Sequence, residues 1–415
     1  MKFISTRGQA PVLDFDDVVL TGLAPDGGLY VPESLPTISE ATLRQWQPLP
    51  YHELAIEVMW PFVDGSIPRE TFVSMVEDAY GSFRHSAIAP TKQLSHDTWL
   101  VELFHGPTLA FKDFALQLLG RLLDYFLAER GERGVVMGAT SGDTGSAAIE
   151  GARRSDHLDV VILHPYQRVS EVQRRQMTTV LSSNVHNVAL RGNFDDCQAI
   201  VKASFMDQAF VTPSRLLAVN SINLARIMAQ TVYYIYAGLR LGALERELAY
   251  SVPSANFGDV FGGYLAKQMG FPIAHFTVAT NTNDALVRGL RGDLSRKPLE
   301  KTLSPSMDIV VSSNFERLLF DLHGRDGFKM AQVMDSFQTG AVQLDDSVIN
   351  QAKALFSAHA VDDEQTCATI SRIFKETGEL IDPHTATGVD ALQVTPSGML
   401  KVVLATAHPA KFAEA

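Results

Sequence analysis

The sequence predicts an α/β protein in which parallel strands alternate with helices on both faces, preceded by a small α+β region. Three observations carry this reading. From Trp99 to Ala279, short apolar runs alternate with stretches of helical spacing, the pattern of parallel strands joined by crossover helices. Gly- and Ser/Thr-rich turns follow several of these runs, and in open parallel sheets ligands sit at the carboxyl ends of strands. The segment 1–95 instead places Asp26-Gly27-Gly28, Pro32, Pro36, Pro48, Pro50 and Pro68 between short helical patterns, as a small α+β unit rich in turns would.

In chain order, helical patterns lie at 54–59 and 71–79. Residues 99–104 read as a strand. Phe111, Ala115, Leu118, Leu119, Leu122 and Phe126 then recur at helical spacing. Residues 135–139 form an apolar strand that runs into a Gly-rich turn and a helix from about Asp143. Further strands are expected at 160–163, 185–190 and 273–279, with a helix at 195–205 between the last two. Helices are expected at 347–358 and 364–377, and 401–406 reads as a last buried strand.

A chain of 415 residues with 46% apolar and 20% charged residues is long enough to bury a core without disulfides or structural metals. Its two cysteines, Cys197 and Cys367, are far apart in sequence and read as small buried hydrophobes in a reducing compartment. No Cys-x-x-Cys or His-Glu-x-x-His pattern signals a metal. The net charge of −12 without a basic run argues against nucleic acid or an anionic membrane as partner. With no signal peptide and no span of about 20 apolar residues, the chain is expected in the cytoplasm, as a monomer or homodimer.

Four constellations carry chemistry. In His105-Gly106-Pro107-Thr108-Leu109-Ala110-Phe111-Lys112-Asp113-Phe114, Lys112 stands near a helix start beside an apolar stripe. Both surroundings disfavour an ammonium and favour the neutral amine that Schiff-base chemistry needs. The bland alternative is a surface lysine on an amphipathic helix. Thr140-Ser141-Gly142-Asp143-Thr144 follows a strand and precedes a helix, a turn whose N–H groups and hydroxyls cradle an anion. It is neither a Walker loop nor a dinucleotide fingerprint. Pro253-Ser254-Ala255-Asn256-Phe257-Gly258-Asp259 offers a second such nest. Both turns have a structural alternative as ordinary strand-to-helix links. Asn220, Ser221, Asn223 and Arg226 cluster around a helix start expected near Ser221 and together suit a phosphate dianion; alone, they read as a capped helix with one surface arginine. Two or three anion sites and one activated lysine suit a phosphorylated aldehyde cofactor plus an anionic substrate.

Taken with these motifs, Phe3-Ile4-Ser5-Thr6-Arg7-Gly8, the segment 22–32, the segment 169–177, Asp382-Pro383-His384-Thr385-Ala386 and Thr406-Ala407-His408-Pro409-Ala410-Lys411-Phe412 make the chain resemble the threonine synthase family over nearly its whole length. That family belongs to the fold-type II pyridoxal-phosphate enzymes. The resemblance implies two parallel-sheet lobes after residue 95, with about 130–208 forming the smaller lobe of a catalytic region 96–415. It implies pyridoxal 5'-phosphate on Lys112, with Asn256, Phe257, Gly258 and Asp259 at the cofactor phosphate and Thr406 beside the pyridine nitrogen. It assigns Thr140, Ser141, Gly142, Asp143 and Thr144 to the substrate carboxylate, and Asn220, Ser221, Asn223 and Arg226 to the substrate phosphate.

The implied reaction is O-phospho-L-homoserine plus water giving L-threonine and phosphate, with Lys112 moving the α- and β-protons. Two departures stand out: Ala255 where the family usually has Gly, a Cβ that crowds the phosphate or restricts φ, and Tyr166-Gln167 in place of a small or basic pair. A fold-type II threonine or serine dehydratase would share the lysine and the cofactor turn but needs no second phosphate site, so the segment 220–226 discriminates. A non-catalytic ligand-binding relative is disfavoured by the intact Lys112. A dinucleotide-dependent oxidoreductase is disfavoured by the lack of Gly-x-Gly-x-x-Gly after a strand.

Overall fold

The computed structural model describes residues 1–140, 142–207, 209, 215–217 and 219–413. At the start, β1 (Phe3–Ser5) pairs antiparallel with β2 (Tyr30–Pro32). The helices Tyr51–Val63 and Arg69–Tyr80 follow. Phe72, Val76, Ala79 and Tyr80 are buried, an i, i+4, i+7, i+8 stripe that presents one apolar face. Tyr51 and Tyr80 pack their rings against Phe114, with centroids 5.4 and 6.2 Å away. The N-terminal helices thereby brace the helix Lys112–Arg130.

The remaining strands are β3 (Thr91–Gln93), β4 (Thr98–Glu102), β5 (Gly134–Ala139), β6 (Leu158–Pro165), β7 (Val185–Leu190), β8 (Leu216–Leu217), β9 (Leu248–Pro253), β10 (His275–Thr280), β11 (Asp293–Leu294), β12 (Val342–Gln343), β13 (Phe356–Ala360) and β14 (Leu400–Ala405). Six build the larger sheet in the order β13-β10-β9-β14-β4-β3, and four build the smaller one in the order β7-β6-β5-β8. Every pair in both sheets is parallel except β3 with β4. β9 and β10 are buried at every position, as strands covered on both faces must be. β11 and β12 form a separate antiparallel ribbon.

The structure departs from the sequence reading at five places. The helix expected at 347–358 ends at Leu355, and Phe356–Ala360 continues as β13 along β10. There Phe356 stacks on Phe276 at 5.5 Å and 22°: an open strand edge and an aromatic partner outweigh helical periodicity. The helix expected near Ser221 begins at Leu224, with Asn223 as its cap. The smaller sheet reaches Leu216-Leu217, past residue 208, because this two-residue strand pairs with β5. β3, within 1–95, joins the larger sheet. Cys197 is buried, but Cys367 is exposed, on the outer side of the helix Asp363–Thr377. Among the described residues no helix is long and apolar enough to cross a membrane.

Candidate active site

A cavity of about 250 Å³ opens where β5, β9 and β14 end, lined by Ala139, Pro253 and Thr406 among others. Lys112 is the first residue of its helix. Its placement comes from the exit of the central strand: the Phe111 N–H donates to the Thr406 carbonyl at 2.8 Å, and Ala110 bridges Ala407. The Lys112 amine lies 5.0 Å over the Phe111 ring and 3.6 Å from Asp143 Oδ2. Burial lowers the pKa of this amine; Asp143 opposes that, while Lys411 and Arg226 reinforce it. The neutral, nucleophilic form is thereby favoured.

In the first turn, Ser141 lies outside the described residues. Gly142 has φ 139°, and a Cβ there would meet the Gln173 side chain at 2.2 Å; it shapes the turn and does not line the cavity. Thr140 Oγ1 accepts from the N–H groups of Gly142 and Gly145 at 2.9 Å each, which leaves its proton to donate inward. Asp143 and Thr144 line the cavity. The Asp143 carboxylate is gripped by Lys411 at 2.7 Å, Gln173 at 2.9 Å and Ser306 at 3.0 Å. Burial opposes its ionisation, but Lys411 and Lys112 prevail and hold it well below the usual carboxylate range. As a committed anion, that side chain does not bind a substrate carboxylate. The backbone N–H groups of the helix start are what this turn offers to one.

In the second nest, Phe257 has φ 61°, a left-handed conformation uncommon for a bulky residue. Its ring is buried against Phe315 and Phe356 at 5.2 and 5.8 Å, outside the cavity. Its turned backbone precedes the N–H groups that open the helix Gly258–Gln268, the form of an anion nest. Asn256 accepts from Ser313 N at 2.7 Å and donates to Ser221 Oγ, joining the two phosphate-type segments. Asn256, Gly258 and Asp259 line the cavity; the Asp259 side chain itself is engaged, its Oδ1 accepting from Tyr233 and Tyr234 at 2.6 and 2.8 Å, so its backbone N–H is what it offers to an anion. Burial pushes this carboxyl up to about 6. Ala255 lines the cavity but is not among the residues of positive φ, so its Cβ imposes no backbone strain. Gln167, at φ 56°, does occupy a conformation that favours a small residue.

Asn220, Ser221 and Arg226 also line the cavity. Asn223 does not: its amide donates to Val19 O at 2.9 Å and accepts from Ala225 N at 3.1 Å. Its polarity caps a helix and ties it to the N-terminal region. Arg226 is only 3% exposed. It donates to the Val219 carbonyl at 3.2 Å, its Nε is buried without a hydrogen-bond partner, and burial lowers its pKa to about 10. It makes no ion pair with a carboxylate among the described residues. One turn on, Gln230 Oε1 is also buried without a partner. A buried cation lacking a counter-ion is costly unless an anion completes it, so Arg226 fits a phosphate, whereas the Gln230 oxygen, an acceptor, awaits a donor.

Ser306, Met307, Gln230 and His384 line the cavity as well, and sequence reasoning gave none of them a role. Ser306 N donates to His384 Nε2 at 3.2 Å; this fixes the tautomer in which Nδ1–H donates to Asp382 at 2.8 Å. The motif Asp382-Pro383-His384 was the available signal.

An amine whose pKa is lowered by burial at the mouth of a parallel sheet, beside a cavity with an unpartnered guanidinium nitrogen and two helix starts, meets the needs of one class: the chain is a fold-type II pyridoxal-phosphate enzyme. Residues 85–403 match the family model described as pyridoxal-phosphate dependent enzyme, and residues 2–80 match that of the threonine synthase N terminus. The chain belongs to the threonine synthase family. It is 59% identical to a threonine synthase of Pseudomonas aeruginosa, over 100% of this chain and 89% of that one. A pyridoxal-phosphate-bound threonine synthase structure from Brucella melitensis superposes with a TM-score of 0.98 at 50% identity, covering 100% of this chain and 90% of that one. The yeast threonine synthase structure gives 0.94 at 39% identity, with 100% and 88% covered.

Proposed function

We propose that the chain converts O-phospho-L-homoserine and water to L-threonine and phosphate, with Lys112 as the covalent attachment point of the cofactor. The observation that carries this is Arg226, a buried guanidinium with an unpartnered Nε and no carboxylate partner, beside Asn220 and Ser221 in the cavity that holds Lys112. A dehydratase has no use for this second anion site. The helix start at Gly258 would hold the cofactor phosphate, and Thr406, at the end of the central strand, would serve the pyridine nitrogen. When bound, the cofactor supplies the electron sink that makes the substrate's carbon acids accessible.

The chain's own residues do the rest. The N–H groups at Asp143 and Thr144, with the Thr140 hydroxyl, hold the substrate carboxylate. Arg226, Ser221 and Asn220 hold its phosphate and neutralise it as it leaves from Cγ. Lys112 Nζ, favoured as a neutral base by burial, takes the α-proton and then a β-proton; after phosphate has left, one proton goes to Cγ to make the methyl group, water gives its hydroxyl to Cβ and its proton to the departed phosphate, and one proton returns to Cα. The acidic net charge and the free cysteines support a cytoplasmic enzyme with no nucleic-acid or membrane partner, and we propose that it acts as a monomer or homodimer. The test is phosphate release from O-phospho-L-homoserine with the product identified: threonine supports the reading, and 2-oxobutanoate overturns it.

A further inference from the structure

Two buried lysines share one carboxylate. Lys411 Nζ lies 2.7 Å from Asp143 Oδ1, and Lys112 Nζ lies 3.6 Å from Oδ2. Lys411 also donates to the Thr108 carbonyl at 2.8 Å, and its side chain is fully buried. It is therefore committed to this place and has no access to water. We propose that Lys411 is a positioning residue that, through Asp143, sets the protonation of the Lys112 nitrogen.

A lone carboxylate within about 4–6 Å favours the charged form of an amine by roughly 1–3 pKa units. Paired with Lys411 on its other oxygen, Asp143 presents Lys112 with a much smaller residual field. Burial then outweighs it and lowers the pKa of the nitrogen. Ser306 and Gln173 fix the carboxylate between the two lysines. The other charged groups facing Lys112 are Arg226, from the helix Leu224–Arg240, and Asp259, from the helix Gly258–Gln268. Beyond Asp143 stands His384. Asp113 lies next in sequence, within the field of Lys411. None of these others touches Asp143's Lys411-bound oxygen, so the balance between Lys411 and Asp143 is separable from them.

The inference rests on Lys112 carrying the cofactor, which borohydride reduction and peptide mapping of each holoenzyme variant establish independently. The readout is the pH titration of the holoenzyme's visible absorbance, which follows the proton on the nitrogen joining Lys112 to the cofactor. Lys411→Met should move the midpoint to higher pH by about one unit, a tenfold change in the proton equilibrium. Asp143→Asn should move it to lower pH, and the double variant should return it close to the parent. Lys411→Arg, which keeps the charge, should leave it in place. A merely structural Lys411 would change melting temperature and cofactor content without moving the midpoint. Should Lys411→Met fail to fold, Asp143→Asn with Lys411→Arg decides. A titration unchanged by loss of either charge, or shifted the same way by both, overturns the proposal while leaving Lys112's attachment role standing.

Discussion

Replacing Arg226 by Met should make the ligand-free enzyme more stable and its grip on substrate weaker. In the fold, burial brings the guanidinium from its ordinary strongly basic range down to about 10, a cost of about 3 kcal/mol for holding it charged. For a base, a depressed folded pKa means this cost applies at every pH below the folded value, hence throughout the neutral range. Among the described residues no carboxylate offsets it, and Nε has no partner. Met fills similar volume without the charge, a replacement that is often neutral or stabilising for buried ions. Substrate binding loses a charge-assisted contact of about 1.5–3 kcal/mol, roughly 10- to 100-fold in affinity. Thermal melting with and without inorganic phosphate, and calorimetric titration of O-phospho-L-homoserine, measure both effects. The expected result is a higher ligand-free melting temperature, a lost phosphate-induced rise, and weaker substrate binding with cofactor binding little changed. Lower stability together with retained substrate affinity would falsify the reasoning. Selective loss of cofactor affinity would mean that Arg226 serves the other phosphate.

Lys112→Ala should abolish turnover while the protein still binds the cofactor weakly, and borohydride should label only a Lys112 peptide in the parent; label on another lysine sinks the assignment. Because burial raises the Asp259 carboxyl from 3.8 to about 6, the fold loses stability as pH rises through that window. Asp259→Asn should therefore gain up to about 3 kcal/mol at pH 7 and far less near pH 4; equal gains in urea unfolding at both pH values would refute this. Ala255→Gly should cost about 0.4–1 kcal/mol through the unfolded chain and leave cofactor affinity unchanged, and a tenfold tighter cofactor would show that the Cβ does crowd the phosphate. Thr406→Ser should be nearly silent, whereas Thr406→Asp should slow threonine formation and add a long-wavelength band with substrate; an unchanged spectrum and rate in a folded Asp variant would place the pyridine partner elsewhere.

The alternation of strand and helix was legible because it is periodic. Val185–Leu190 reads directly from the chain, and the helix expected at 364–377 starts one residue earlier, at Asp363. What escaped depends on partners distant in sequence. Leu216-Leu217 is a strand only because β5 is beside it, and Phe356 leaves its helix to stack on Phe276. The site shows the same division. Lys112 and the turns at 140–144 and 255–259 announce themselves through glycines and hydroxyls clustered after strands. Asn223 carries the same chemistry but spends it on Val19 and a helix cap, a choice local sequence does not reveal. Lys411, Ser306 and His384 meet at or near Asp143 from separate segments, and no spacing rule joins them.

The position of β14 bears on how the protein is made. This strand lies between β9 and β4 at the centre of the larger sheet, with Val403 paired to Leu100, yet it leaves the ribosome after every other strand of that sheet. Until it emerges, β4 and β9 each present an unpaired edge, a template for pairing with other chains. The nascent polypeptide must therefore wait, with two open edges, for residues translated long after their neighbours, and the pairing it then makes is highly non-local and slow to form. Lys112 waits as well, because the Phe111 N–H is held by the Thr406 carbonyl just past that strand. The smaller sheet, whose strands all lie between Gly134 and Leu217, has no such dependence and can assemble while translation continues. Cofactor capture is thus deferred until Leu400–Thr406 has been made: a ribosome stalled before Leu400 yields a chain with its anion nests translated and its lysine unplaced.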